Sequence, residues 1–197
     1  MAISLKSTMS VNSNGIKLLV YGQAGVGKTT LIKSLPNAVI LSAEGGLLSL
    51  RREDIPFIEI KNMQDLSDAY YWLRDSEQGQ QFKSVALDSI SEIAEVVLGT
   101  AKASAKDPRQ AYGAMQDQMT NLVRLFRDLP GKNVYFSAKV EKQQNELGQL
   151  LHAPSMPGQK LGQLLPYFFD EVLALRIGTD KEGNTQRMLM CQSDGIW

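Results

Sequence analysis

Eight consecutive residues, Gly22-Gln23-Ala24-Gly25-Val26-Gly27-Lys28-Thr29, match G-x-x-x-x-G-K-[ST] without a gap. These residue types suit a phosphate cradle. Glycines let the backbone close into a nest whose N–H groups turn toward phosphate oxygens. A helix opening near Lys28 adds the positive end of its dipole. Lys28 is expected to reach the β- and γ-phosphates, the Thr29 hydroxyl to sit on Mg²⁺, and Thr30 to extend the grip of the loop. The spacing therefore predicts binding of ATP with Mg²⁺ over residues 22–30. A glycine-rich turn without a ligand is the plainer reading. The octet, however, follows an apolar run and opens a helical one, which is the context a phosphate loop needs.

Val85-Ala86-Leu87-Asp88 ends a second apolar run in a carboxylate, placed to hold Mg²⁺ through water. A helix-capping aspartate would look the same. Ser89 follows, at the place where many ATPases carry the glutamate that activates water. The chain must carry that group elsewhere or hydrolyse slowly, and the candidate is Glu44 in Leu41-Ser42-Ala43-Glu44-Gly45-Gly46, just past another apolar run. Ends of parallel strands face the ligand crevice, and the adjacent glycines leave room for water and phosphate. The alternative for Glu44 is an ordinary exposed loop residue. Glu92 and Glu95, on the helix behind Asp88, are expected to face rearward. The catalytic set is thus Lys28, Glu44 and Asp88, with Thr29 and Asp88 as the metal pair.

Holding these groups together takes a sheet. Residues 16–21, Ala38–Ser42, 57–60, 84–87 and 134–138 are short apolar runs that suit buried strands. Helical stretches lie between them. Residues 28–35 stop before Pro36. Leu66, Ala69, Tyr70 and Leu73 form a stripe after the capping candidate Asn62. Ser89-Ile90-Ser91-Glu92 reads as a capping box, and Met115, Met119, Leu122, Val123 and Phe126 stripe a helix closed by Pro130-Gly131. Residues 171–177 and 188–191 read as late strands around a turn at 180–184, and residues 99–110 and 141–165 as loops. Strands alternating with helices predict an α/β fold with a mostly parallel central sheet flanked by helices. One domain over 15–197 is expected, behind a flexible arm at 1–14, and the ordered pattern running up to Trp197 suggests C-terminal truncation.

Composition bounds the rest. A chain of 197 residues can bury a real core, and 43% hydrophobic with 21% charged residues excludes a disordered or fibrous chain. Lys and Arg number 21 against 21 Asp and Glu, so no overall positive field marks nucleic acid or an anionic membrane, and any DNA contact must be local. The single cysteine, Cys191, excludes an internal disulfide framework and points to a reducing cytoplasm. No apolar run approaches the roughly 20 residues that span a bilayer, and residues 1–14 lack the apolar core of a signal peptide.

The phosphate loop, Ala43-Glu44 closing the next strand, and Leu87-Asp88-Ser89 together resemble the RecA/RadA recombinase ATPases. The likeness is closer to the short phage-encoded RecA-like proteins that promote single-strand annealing. It rests on Leu19-Val20-Tyr21-Gly22, Gly25-Val26-Gly27-Lys28-Thr29-Thr30, Glu44-Gly45-Gly46, Leu87-Asp88-Ser89, and Tyr112-Gly113 before a long helix, and covers most of residues 16–177. The resemblance implies a RecA-like P-loop NTPase fold and ATP hydrolysis with Glu44 activating the water. It also implies self-association into a ring or filament and single-stranded DNA as partner, in the host cytoplasm if phage-encoded, with no membrane.

In that family, loops after the Asp88-type helix and after the sensor strand line the DNA path. Here those stretches carry Lys102, Lys106 and Arg109 against Asp107, and Lys142 and Lys160 against Glu141 and Glu146, with Lys139 at the edge. A solvated surface is the plainer reading, and no aromatic platform interleaves these lysines in sequence. The chain departs from the family in two ways. Ser137-Ala138-Lys139 ends the sensor strand where a Gln is usual, leaving Ser137 or Lys139 to feel the γ-phosphate. Only Arg176 and Arg187 stand in for the basic residues that reach a neighbour's ATP.

Other classes fit less well. Asp128-Leu129-Pro130-Gly131 matches the D-x-x-G switch of GTPases but precedes a strand instead of following one, and no N-K-x-D guanine reader occurs. A small-molecule kinase would want an arginine-rich lid, and residues 141–160 hold no arginine. A nucleotide-dependent structural or regulatory protein without direct DNA binding stays open. His152 reads as a surface histidine.

Overall fold

The computed structural model describes Ser7, residues 15–144 and residues 148–197. Ser7 apart, the arm expected at 1–14 lies outside the described residues, as does Glu146. Among the described residues eight strands appear in chain order: β1 (Lys17–Gly22), β2 (Ala38–Ser42), β3 (Phe57–Glu59), β4 (Ser84–Asp88), β5 (Asn133–Gln144), β6 (Leu150–Pro154), β7 (Glu171–Thr179) and β8 (Thr185–Met190). The helices are α1 (Lys28–Leu31), α2 (Met63–Asp75), α3 (Glu77–Gln80), α4 (Ile90–Ser104), α5 (Pro108–Arg127) and α6 (Gln159–Leu164). The sheet runs β3-β2-β4-β5-β1-β7-β8. Its strands are parallel from β3 through β7, and β8 closes it antiparallel to β7. This is the α/β architecture with a mostly parallel sheet that the alternation of elements implies.

Side chains along a strand alternate in direction, and here the alternation feeds two cores. Leu19 and Tyr21, Val39 and Leu41, Val85 and Leu87, and Val134 and Phe136 pack on the face covered by α2, α4 and α5. Val20, Ile40, Ala86 and Tyr135 pack on the other face with Val26, Ile32 and Leu50, beside the phosphate loop. Strands buried on both faces read as continuous apolar runs, which is why β1, β2 and β4 are plain in the sequence. The parity also decides which polar residues meet the loop. Asp88 follows Ala86, and Ser137 and Lys139 follow Tyr135, on the loop side of the sheet.

The long helices start where their caps stand. Asn62 accepts from the backbone N–H groups of Gln64 and Asp65, and Asp65 accepts from Asn62 in return. Such a box contributes about 1 kcal/mol. Met115 and Met119 are buried on α5.

Two expectations are corrected. Residues 99–110 are not a loop: α4 continues to Ser104, and after a three-residue link Asp107 caps α5 by accepting from the Arg109 N–H. The small, polar composition misled, because Ala and Lys are good helix formers and Ala101 and Ala105 rest against the core. Lys102 therefore sits on α4, Lys106 in the link and Arg109 on α5. Residues 141–165 are not one long loop either. β5 runs on past the sheet to Gln144 and pairs antiparallel with β6, from Val140 opposite Pro154 to Gln144 opposite Leu150, and α6 follows. A hairpin standing beyond the sheet buries little, so it lacks the apolar run by which the other strands are found. Among the described residues no helix is long and apolar enough to cross a membrane.

Candidate nucleotide site

β1 lies between β5 and β7 in the sheet and delivers Gly22 to the edge of the crevice. The chain then turns through Gly25 at φ +73° and Gly27 at φ +107°, conformations that side-chain-bearing residues rarely adopt. Gly22 is needed for a different reason: a Cβ there would run into the carbonyl of Leu175 on β7. The loop ends in α1, whose first carbonyl is tied down by β5. The buried Tyr135 hydroxyl donates to the Lys28 carbonyl at 2.8 Å, and burial pushes that phenol's pKa well up, so it stays a donor.

Lys28 folds back into the loop. Its Nζ donates to the carbonyls of Gly22 and Gln23, each at 2.9 Å. Burial lowers its pKa, Glu44 and Asp88 oppose that shift, and Lys139 adds to it. Phosphate oxygens would favour the charged form again. Thr29 Oγ1 donates to Asp88 Oδ2 at 2.7 Å, and Ser137 Oγ donates to the other oxygen of the same carboxylate. Asp88 is thus held from both sides at the end of β4, nearly buried, with a cis peptide bond to Ser89 after it.

Glu44 stands across the crevice, just past β2. Its Oε1 accepts from Ser89 Oγ at 2.5 Å and lies 3.6 Å from Lys139 Nζ. Ser89 does two jobs, because the same oxygen accepts from the Glu92 N–H at the start of α4. Lys139 Nζ in turn meets Glu92 Oε2 at 2.6 Å. The hydrogen bond to Glu92 is the first of the influences that raise the lysine's pKa, so it is charged at neutral pH. Glu92 therefore does not face rearward as its helix position suggested. Lys139 draws it toward the crevice.

Ala24, Thr29, Glu44, Asp88, Ser89 and Lys139 help to line one cavity of about 360 Å³. A hydroxyl and a single carboxylate are hard oxygen donors. They suit Mg²⁺, which keeps several waters and takes few protein ligands in phosphate sites. Among the described residues no group of three or more His, Cys, Asp or Glu gathers as a protein-only metal cage.

The residues considered for DNA do not form one loop. Lys139 belongs to the cavity. Lys142 is exposed on β5, opposite His152. Lys102 lies with its ammonium 5.3 Å from the centre of the Tyr112 ring, an aromatic neighbour invisible in the sequence because it comes from the next helix. Arg187 makes its own contact, with Nε donating to the Val26 carbonyl at 2.9 Å. Arg176 faces Asp194 at 3.9 Å instead. His152 is half-buried and stacks face to face on Trp197, with ring centres 3.9 Å apart.

A family model for an AAA domain matches residues 14–195 of the chain. No curated protein matches the sequence. Among solved structures, a KaiC-like protein from the hyperthermophilic archaeon Pyrococcus horikoshii OT3 is 13% identical, with 91% of this chain and 81% of that one aligned at a TM-score of 0.48. An ATPase from the type III secretion system of pathogenic bacteria is also 13% identical, with a TM-score of 0.52 over 82% of this chain and 52% of that one. The chain thus spans about half the length of the secretion ATPase, and what the two share is a fold.

Proposed function

Because the chain belongs to the AAA-domain family of P-loop ATPases, we propose that it binds ATP with Mg²⁺, hydrolyses it, and acts on single-stranded DNA in recombination or annealing, as phage-encoded RecA-like proteins do. The observation that carries the ATP half is the convergence of Lys28, Thr29, Asp88 and Glu44 on one cavity. Lys28 exchanges its two loop carbonyls for β- and γ-phosphate oxygens. The Thr29 hydroxyl and the Asp88 carboxylate, now bonded to each other, would hold Mg²⁺, which would neutralise charge on the phosphates. Ser137 orients the Asp88 carboxylate. Glu44, steadied by Ser89, takes the proton of the attacking water. Lys139, held between Glu44 and Glu92 at the cavity wall, is a cation placed to turn to the γ-phosphate.

The DNA half rests on a surface. Tyr112 is 41% exposed beneath Lys102, and a Cβ on Gly158 would lie 3.5 Å from the Tyr112 ring. Gly162 in α6 comes equally close to the Gln143 side chain of the hairpin, with 3.6 Å from its Cβ position to Nε2. The α4–α5 corner, α6 and the β5–β6 hairpin thus adjoin. A ring paired with a cation is what base stacking on single strands uses. One copy with so few lysines binds weakly. A ring or filament lines up many copies along one strand and multiplies the effect.

Replacing Lys102, Lys106 and Lys142 together by Ala is expected to weaken binding of a labelled single-stranded oligonucleotide by about 10-fold or more at low salt, because each phosphate contact releases counterions. ATP binding should stay intact. Fluorescence anisotropy with and without ATP is the check, alongside ATP turnover with and without the oligonucleotide. If a sample that binds ATP shows no DNA binding at low salt and micromolar protein, the DNA reading is wrong. The regulatory alternative then takes its place.

A further inference from the structure

The phosphate cavity has two sides. Its acids and Lys139 come from β2, β4 and β5, all to one side of β1 in the sheet. A nucleotide with its terminal phosphate there and the rest of its phosphates along the loop after β1 would lead its base to the other side of β1, where β7 and β8 lie. What stands there on the loop face follows from parity. Leu173 and Leu175 of β7 pack into the loop-side core, and Ile177 continues that row. In the β7–β8 ladder Leu175 opposes Leu189 and Ile177 opposes Arg187, so all four share one face.

Two of these apolar side chains are bare. Ile177 is 58% exposed and Leu189 42%. Beside them, opposite Ile177 on β8, Arg187 donates from Nε to the Val26 carbonyl. A Cβ built on Gly27 would come within 3.4 Å of that Nε, so the guanidinium group lies against the residue that opens α1. Among the described residues its terminal nitrogens have no hydrogen-bond partner. Two exposed aliphatic side chains beside the phosphate loop, with a planar cation next to them that is tied to that loop, suit a flat aromatic group.

We propose that the β7–β8 hairpin is the nucleobase shelf of this site, with Ile177 and Leu189 under the base and the Arg187 guanidinium stacked against it. The proposal rests on the nucleotide reading above and adds the residues that hold the other end of the ligand. Arginine suits the task better than lysine, because its plane is weakly hydrated and stacks on aromatic faces. The bond to Val26 fixes that plane in advance, so little side-chain freedom is lost on binding. Arg187 is then committed to the nucleotide of its own chain and is not a residue reaching into a neighbour's site.

The test titrates ATP, ADP and inorganic tripolyphosphate, each with Mg²⁺, into the parent and into Arg187→Ala, Arg187→Lys and Ile177→Ser, by calorimetry. Arg187→Ala is expected to weaken ATP and ADP alike by about 10-fold while tripolyphosphate stays within about twofold. Arg187→Lys should recover little of the loss, and Ile177→Ser should show the same pattern more weakly. Melting curves on each variant establish that it is folded, and the lysine variant serves if the alanine variant is not. Should tripolyphosphate affinity fall in step with ATP, Arg187 only shapes the loop and the shelf is overturned. Unchanged ATP affinity in Arg187→Ala overturns it as well. A parent that binds neither ATP nor tripolyphosphate overturns the nucleotide reading itself, which separates that failure from failure of the shelf alone.

Discussion

Glu44→Gln is expected to bind ATP within about twofold of the parent and to hydrolyse it ~10²-fold or more slowly, the usual worth of a general base. The amide keeps the length of the side chain and an oxygen that can still accept from Ser89, whose hydroxyl now sits 2.5 Å from Glu44 Oε1. What it loses is the ability to take a proton from water. It also loses the negative charge facing Lys139 at 3.6 Å, an interaction across a half-exposed pair that contributes little to stability. Phosphate release in a single turnover, with binding measured separately, distinguishes the two effects. A variant that turns over at the parent rate moves the base elsewhere. Glu92, already 2.6 Å from the same lysine, is the next residue to change.

Asp88→Asn should abolish the metal dependence of the site. The carboxylate accepts from Thr29 and from Ser137, so an amide turns at least one N–H group toward a donor and loses the charge that holds Mg²⁺. Metal-assisted stabilisation of phosphoryl transfer amounts to several kcal/mol, so turnover is expected to drop by about 10²-fold or more. ATP affinity in Mg²⁺ should fall to the value the parent shows with the metal chelated. Retained Mg²⁺-stimulated turnover in this variant would remove Asp88 from the metal site.

What the sequence made legible follows from how the signals arise. The doubly buried strands β1, β2 and β4 show as apolar runs, the Gly22-to-Thr29 spacing is set by phosphate geometry, and Asn62 marks α2 by a local cap. Each of these is a short-range pattern. The misread stretches carry patterns that point two ways. Thr100 to Ser104 is small and polar like a loop yet helical by propensity, and the hairpin after Ala138 is polar because it leaves the core. The phosphate loop, Asp88 and Glu44 could be named as a set because strand ends of a parallel sheet converge on one crevice.

Their partners could not be named, because they depend on register across the sheet. Ser137 meets Asp88 because β5 lies next to β4. Ser89, read in the sequence as the cap of α4, also holds Glu44. Arg187 reaches Val26 across 161 residues of chain, from a position just before the run at 188–191 that marks this strand in the sequence. Tyr112 beneath Lys102 needs the angle between α4 and α5, which no spacing encodes.

One titration tests the ATP site most directly: ATP with Mg²⁺ into the parent chain and into Lys28→Ala, by calorimetry at neutral pH. Lys28 is the only lysine in the loop, and its ammonium is already poised between the Gly22 and Gln23 carbonyls. The expected result is saturable binding by the parent and affinity lower by 10-fold or more in the variant, a loss of at least about 1.4 kcal/mol. Equal affinity in a folded Lys28→Ala variant would contradict the assignment of this cavity as the ATP site.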